Sequence, residues 1–133
     1  MVRMELRSIH INDTGDRQFV TLAEVEGKRV LTIVIGYTEV QAIDRMVKGA
    51  RPQRPLTHEL MVTLLEAAGA KLEKVSITEL REGTFFALLR LVRADGGTVE
   101  IDARPSDALA LAVAVSAPIE VAEAVIEAAT EAE

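Results

Sequence analysis

Ile101-Asp102-Ala103-Arg104-Pro105-Ser106-Asp107-Ala108-Leu109-Ala110-Leu111 holds the sharpest change of pattern in the chain. Thr98-Val99-Glu100-Ile101 alternates as a strand does, and an Ala/Leu/Val-rich helix follows. Between them lie two carboxylates, a guanidinium and a hydroxyl. A strand-to-helix joint suits ligands, because a helix start offers free N–H groups and the positive end of its dipole. The same residues also read as capping. Ser106 can serve as N-cap, or Pro105 can take the first helical position, with Asp107 favouring the first turn.

Working backward from this joint, Leu72–Leu80, Phe85–Val92 and Thr98–Asp102 read as strands joined by turns at Glu82-Gly83 and Ala94-Asp95-Gly96-Gly97. Forward from it, a helix is expected over Ser106–Ser116. Being apolar all round, that helix should be buried. Pro118-Ile119 interrupts the pattern, and a closing helix is expected within 119–129 with Val121, Val125 and Ile126 inward. The tail from Thr130 to Glu133 should fray.

The first half of the chain has the same order. A strand over residues 2–12 changes phase near Arg7-Ser8, as a bulge would. The turn cluster Asn12-Asp13-Thr14-Gly15-Asp16 follows, then strands at Phe19–Val25 and Arg29–Ile35 around Glu26-Gly27-Lys28. The apolar run Val30–Ile35 suggests a strand covered on both faces. Thr38-Glu39-Val40-Gln41 fits a capping box, and Gly49 ends the helix it opens. A basic connector spans residues 50–55. A second helix starts near Thr57, which can cap it, with Leu60, Met61, Leu64, Leu65 and Ala68 as its apolar stripe.

These elements predict one α+β domain built on a duplicated β3-α repeat. The first repeat covers about 3–48, an inserted helix 57–68, the second repeat about 72–116 and a C-terminal helix 119–129. The central helices should pack against two small antiparallel or mixed sheets.

The chain has 133 residues, 49% of them hydrophobic but only 3% aromatic, so aliphatic side chains must build the core. There is no cysteine, which excludes thiolate chemistry and disulfides. No apolar run is long enough to span a bilayer, and Met1–Glu5 lacks a signal-peptide core. A cytoplasmic location is therefore expected. A net charge of −6 argues against an extended grip on nucleic acid, which needs a basic footprint. A local basic site, or carboxylates holding a cation that meets a phosphate, remains compatible with it.

Three further stretches carry groups suited to chemistry. Arg51-Pro52-Gln53-Arg54-Pro55-Leu56-Thr57-His58-Glu59 brings guanidiniums, an imidazole and a carboxylate to a helix start. Gly83-Thr84-Phe85-Phe86 combines a turn with an aromatic pair. Ile35-Gly36-Tyr37-Thr38-Glu39 is the counterpart of the opening stretch, with Glu39 in the place of Asp107. His10, between Ile9 and Ile11, reads as structural.

Ile35-Gly36 with Glu39, Arg54-Pro55-Leu56-Thr57-His58-Glu59-Leu60, Gly83-Thr84-Phe85-Phe86-Ala87 and Asp102–Ala108 occur in the order seen in bifunctional nucleases. Across nearly its whole length the chain resembles that family. The resemblance implies nuclease activity on DNA and RNA, the duplicated fold and a homodimer. Phe86 stands where the family more usually carries tyrosine.

The expected reaction is metal-assisted phosphodiester hydrolysis. Asp102 and Asp107, with Glu59, would hold Mg²⁺ or Mn²⁺, and no organic cofactor is expected. Arg54, Arg104 and Ser106 would bind the substrate phosphate, and His58 would transfer a proton. The rival expectation is a non-catalytic dimeric module that regulates or binds a small ligand.

Overall fold

A computed structural model describes residues 1–14 and 17–131. Gly15 and Asp16 of the expected turn, and the last two residues of the expected tail, lie outside the described residues. In chain order the elements are β1 (Val2–His10), β2 (Gln18–Glu24), β3 (Val30–Ile35), α1 (Tyr37–Lys48), α2 (Thr57–Ala67), β4 (Lys71–Arg81), β5 (Thr84–Val92), β6 (Thr98–Ala103), α3 (Pro105–Val115), β7 (Ile119–Val121) and α4 (Glu123–Glu131). This is a single α+β domain. Among the described residues no helix is long and apolar enough to cross a membrane.

The strands form one mixed sheet in the order β3-β2-β1-β7-β4-β5-β6. Two small sheets were expected. The two three-stranded meanders are instead halves of one sheet, joined by β7. This strand pairs antiparallel with β1 and parallel with β4. Its residues were expected to belong to the closing helix. Pro118 before it disfavours helix, and Ile119 and Val121 alternate inward around Glu120. The helix starts only after Ala122, with Val125 and Ile126 buried as expected.

Register decides which side chains meet. The β1–β2 pairing slips between Leu6 and Ser8, where the phase change was read. Val75 lies opposite Leu89 and Ile119, and Leu22 opposite Leu31, so the buried strand residues share one face. The helices cover that face. On β3, Leu31 and Ile33 are buried while Val30 and Val34 are 44% and 50% exposed. The expectation of burial on both faces therefore fails for β3, because it is an edge strand without a helix on its second side.

Helix ends follow glycine more than hydroxyl chemistry. Gly36, Leu56 and Arg104 are the N-caps of α1, α2 and α3, and none makes a side-chain cap bond. Thr38, Thr57 and Ser106 lie inside the helices they were expected to cap. Pro105 takes the first position of α3. At the other end of α1, Gly49 adopts φ 64°, and the N–H groups of Gly49 and Ala50 return to Met46 and Arg45.

α3 is the centre of the core. Ala108–Ala112 are at most 1% exposed, and the alanines let α1 and the sheet approach closely. Its last turn leaves the core, with Val115 39% exposed. α2 lies outside α3. Met61, Val62 and Leu65 face inward, whereas Leu60 and Leu64, expected in the stripe, are 48% and 57% exposed.

Truncation to alanine should separate buried from exposed positions. Leu109→Ala should cost about 2–5 kcal/mol, and truncation of Val47 on α1, 51% exposed, to alanine no more than about 0.5 kcal/mol. Urea denaturation of the two variants measures the difference.

Candidate functional site

β6 delivers the chain to Arg104, which is extended at φ −70° and ψ 147°. Pro105 then sets the helix, and Asp107 falls in its first turn. The Asp107 carboxylate receives two partners. Arg104 donates from Nε to Oδ2 at 3.0 Å and from Nη2 to Oδ1 at 3.3 Å. His58, in the first turn of α2, sits with Nε2 2.8 Å from Oδ1. Burial pushes the Asp107 carboxyl up, but the hydrogen bonds from Arg104 and His58 outweigh it and hold the acid below its ordinary value. An ionised carboxylate has no proton to give, so His58 Nε2 is the donor. The bond to Asp107 in turn raises the Arg104 guanidinium above its ordinary value.

Arg104 also reaches α1. Its Nη1 lies 3.8 Å from Glu39 Oε2. Glu39 holds the same first-turn position in α1 that Asp107 holds in α3, counting from Gly36 and Arg104. The Glu39 carboxylate folds back over Gly36 and fills the space that a Cβ would need there. Three helix starts thus meet, α1 and α3 at the Arg104 guanidinium and α2 through His58 on Asp107, and each carries a carboxylate in its first turn: Glu39, Glu59 and Asp107.

Beside this cluster opens a cleft of about 290 Å³. Its walls are the end of β3 with Gly36, the start of β5 with Gly83, and Arg104–Ser106. Glu82 and Gly83 both have positive φ (52° and 79°), as a two-residue hairpin requires, which brings Thr84 and Phe85 tightly round to the cleft. Ser106 is only 6% exposed. It lines the cleft, so what remains of its surface faces that space.

Four of the expected site residues therefore come together: His58, Arg104, Ser106 and Asp107. The others do not. Asp102 lies opposite Leu88 on β5 while Ala103 lies opposite Ala87, so alternation puts Asp102 on the sheet face away from α3. Arg54 is exposed on the connector and does not line the cleft. Glu59 is taken by Arg45, which donates from Nε at 2.8 Å and from Nη2 at 3.3 Å. The Arg45 hydrogen bond holds the Glu59 carboxyl below its ordinary value, against burial. That pair borders a larger cavity of about 520 Å³ between α1, the connector and α2. Its main charges already satisfy each other there.

The expected metal pair does not fit this geometry. Asp102 and Asp107 project from opposite faces, and among the described residues no three His, Asp or Glu side chains gather as a cation would need. Arg104 already stands between the two carboxylates of the cluster. Arg45 went unread as a partner of Glu59, because nothing in the sequence links positions on separate helices.

The arrangement gathers residues from all four motif stretches. The sequence profile of the bifunctional nuclease domain matches residues 20–133. This chain belongs to the bifunctional nuclease domain family. Two Mycobacterium tuberculosis proteins, one from each of two strains, are 39% identical to it over 126 residues. The match covers 95% of this chain and 74% of each relative, and both are described only as uncharacterized proteins.

Both depressed carboxyls tie stability to pH in the same direction. A carboxyl lowered on folding contributes stability that is complete above its unfolded value and is lost as pH falls through the native one. The stability gap between the wild type and Glu59→Gln should therefore be constant from neutral pH down to about 5. Below the ordinary glutamate value of 4.5 it should shrink as Glu59 protonates. Urea denaturation over that pH range checks this.

Proposed function

We propose that this domain hydrolyses phosphodiester bonds of nucleic acid at the cleft beside Arg104. One observation carries the reading: Asp107 binds both His58 and Arg104, and Arg104 lines a cleft together with the nearly buried Ser106. The Arg104 guanidinium and the free N–H groups at the start of α3 suit the non-bridging oxygens of a phosphate. Arg104 is 64% exposed at its side chain, so it can turn toward a substrate. With Nε2 donating to Asp107, Nδ1 of His58 is the acceptor that takes a proton from water and returns it to the leaving oxygen. Water oxygen adds to phosphorus, and the bond to the leaving nucleoside oxygen breaks. Family membership supports the reaction class, and no step is assigned to a metal.

The test is purified protein on single-stranded DNA and RNA, in Mg²⁺ and in chelator. Arg104→Ala, Asp107→Asn and His58→Gln should each lower kcat/KM by about 10²-fold or more. Asp107→Asn should cost stability only on the scale of about 1 kcal/mol. Cleavage that survives all three changes, or that is lost on further purification, would reject the site.

A second copy of the chain is the proposed partner for the outer face of α2. Leu56, Leu60 and Leu64 recur every four residues there, each about half exposed. In a two-fold antiparallel pairing centred on Leu60, Leu56 meets the partner's Leu64 and Arg54 meets the partner's Glu66. Light scattering should give a dimer mass for the wild type and a monomer for Leu60→Asp. A monomeric wild type at micromolar concentration would reject the pairing.

A further inference from the structure

We infer that the cleft grips one phosphate, so the substrate is a short single-stranded oligonucleotide, down to a dinucleotide, and not a polymer held along its length. This rests on the hydrolytic reading above and specifies its substrate class. A volume of about 290 Å³ lies just under the range of roughly 300–1,000 Å³ typical of small-ligand sites. It has room for one nucleotide unit. Arg104 is the one cationic side chain among the lining residues, and Glu39 stands beside it. A second phosphate brought close would meet that carboxylate.

The neutral walls agree with a single unit. Ser106 lines the cleft and supplies one hydroxyl for a phosphate oxygen. Phe85 and the half-exposed Val34 offer an apolar wall wide enough for one base. The chain as a whole carries 21 acidic against 15 basic residues. That excess argues against the basic track that a polymer-binding nuclease needs.

Salt and length separate the two cases. Each neutralised phosphate of a single strand contributes a slope of about −0.7 to log affinity against log salt. We compare kcat/KM per bond for a dinucleotide and for a homopolymer of about twenty nucleotides, from about 50 to about 200 mM salt. One contact predicts a fall of about threefold for both substrates, and per-bond values that agree within about twofold. Ser106→Ala should raise KM several-fold, by the same factor for both lengths. A per-bond rate at least about tenfold higher on the long strand would overturn the inference and leave the hydrolytic reading standing. A fall of about a hundredfold or more with salt would do the same. Failure to cleave either substrate would remove that reading and this inference with it.

Discussion

One ionised carboxylate ties the starts of α2 and α3 together and, through Arg104, reaches the start of α1. Asp107 accepts from Arg104 on its own helix and from His58 on α2, and Arg104 reaches across to Glu39 on α1. Removing that carboxylate would leave a largely buried imidazole N–H without an acceptor, and such a group costs more than the bond it lost was worth. The constraint extends inward. Ala108 and Leu109 follow Asp107 immediately and are fully buried against α1 and the sheet. A shift at the charged end would have to be accommodated in a close-packed interior, which tolerates little.

The part of the fold that obeys local rules could be read from the sequence. Strands with clean alternation, the bulge near Ser8 and glycine-stopped helices came through because each is encoded within a few residues. The short strand at Ile119 did not. Three residues carry no usable period, and the pairing that makes them a strand involves partners at Val2–Met4 and Val75–Ile77. Caps misled for a related reason. Thr38, Thr57 and Ser106 are good N-cap residues, but the extended residue before each helix was fixed by where the preceding strand or connector ended.

The site was legible in its parts and not in its connections. The stretch from Asp102 to Asp107 stands out in the sequence, yet strand alternation sends Asp102 away from Asp107. Proximity in sequence implied a metal pair, but a side-chain period of two decided otherwise. His58 and Glu59 are neighbours with different partners, one on α3 and the other on α1. A helix turns about 100° per residue, so adjacent side chains face different elements. Only the packing of α2 reveals which of the two meets Asp107.

The placement of β7 has a consequence for synthesis on the ribosome. The meander β1-β2-β3 emerges early and can pair internally, but β1 keeps one open edge until residues 119–121 are made. Until then the second meander also has an unpaired margin along β4. Nascent chains therefore carry two naked strand edges that suit one another and suit other nascent chains equally well. Closure of the sheet is the last topological event, and it is made by three residues. Any pause before them would lengthen the interval in which neighbouring polysomal chains can cross-pair.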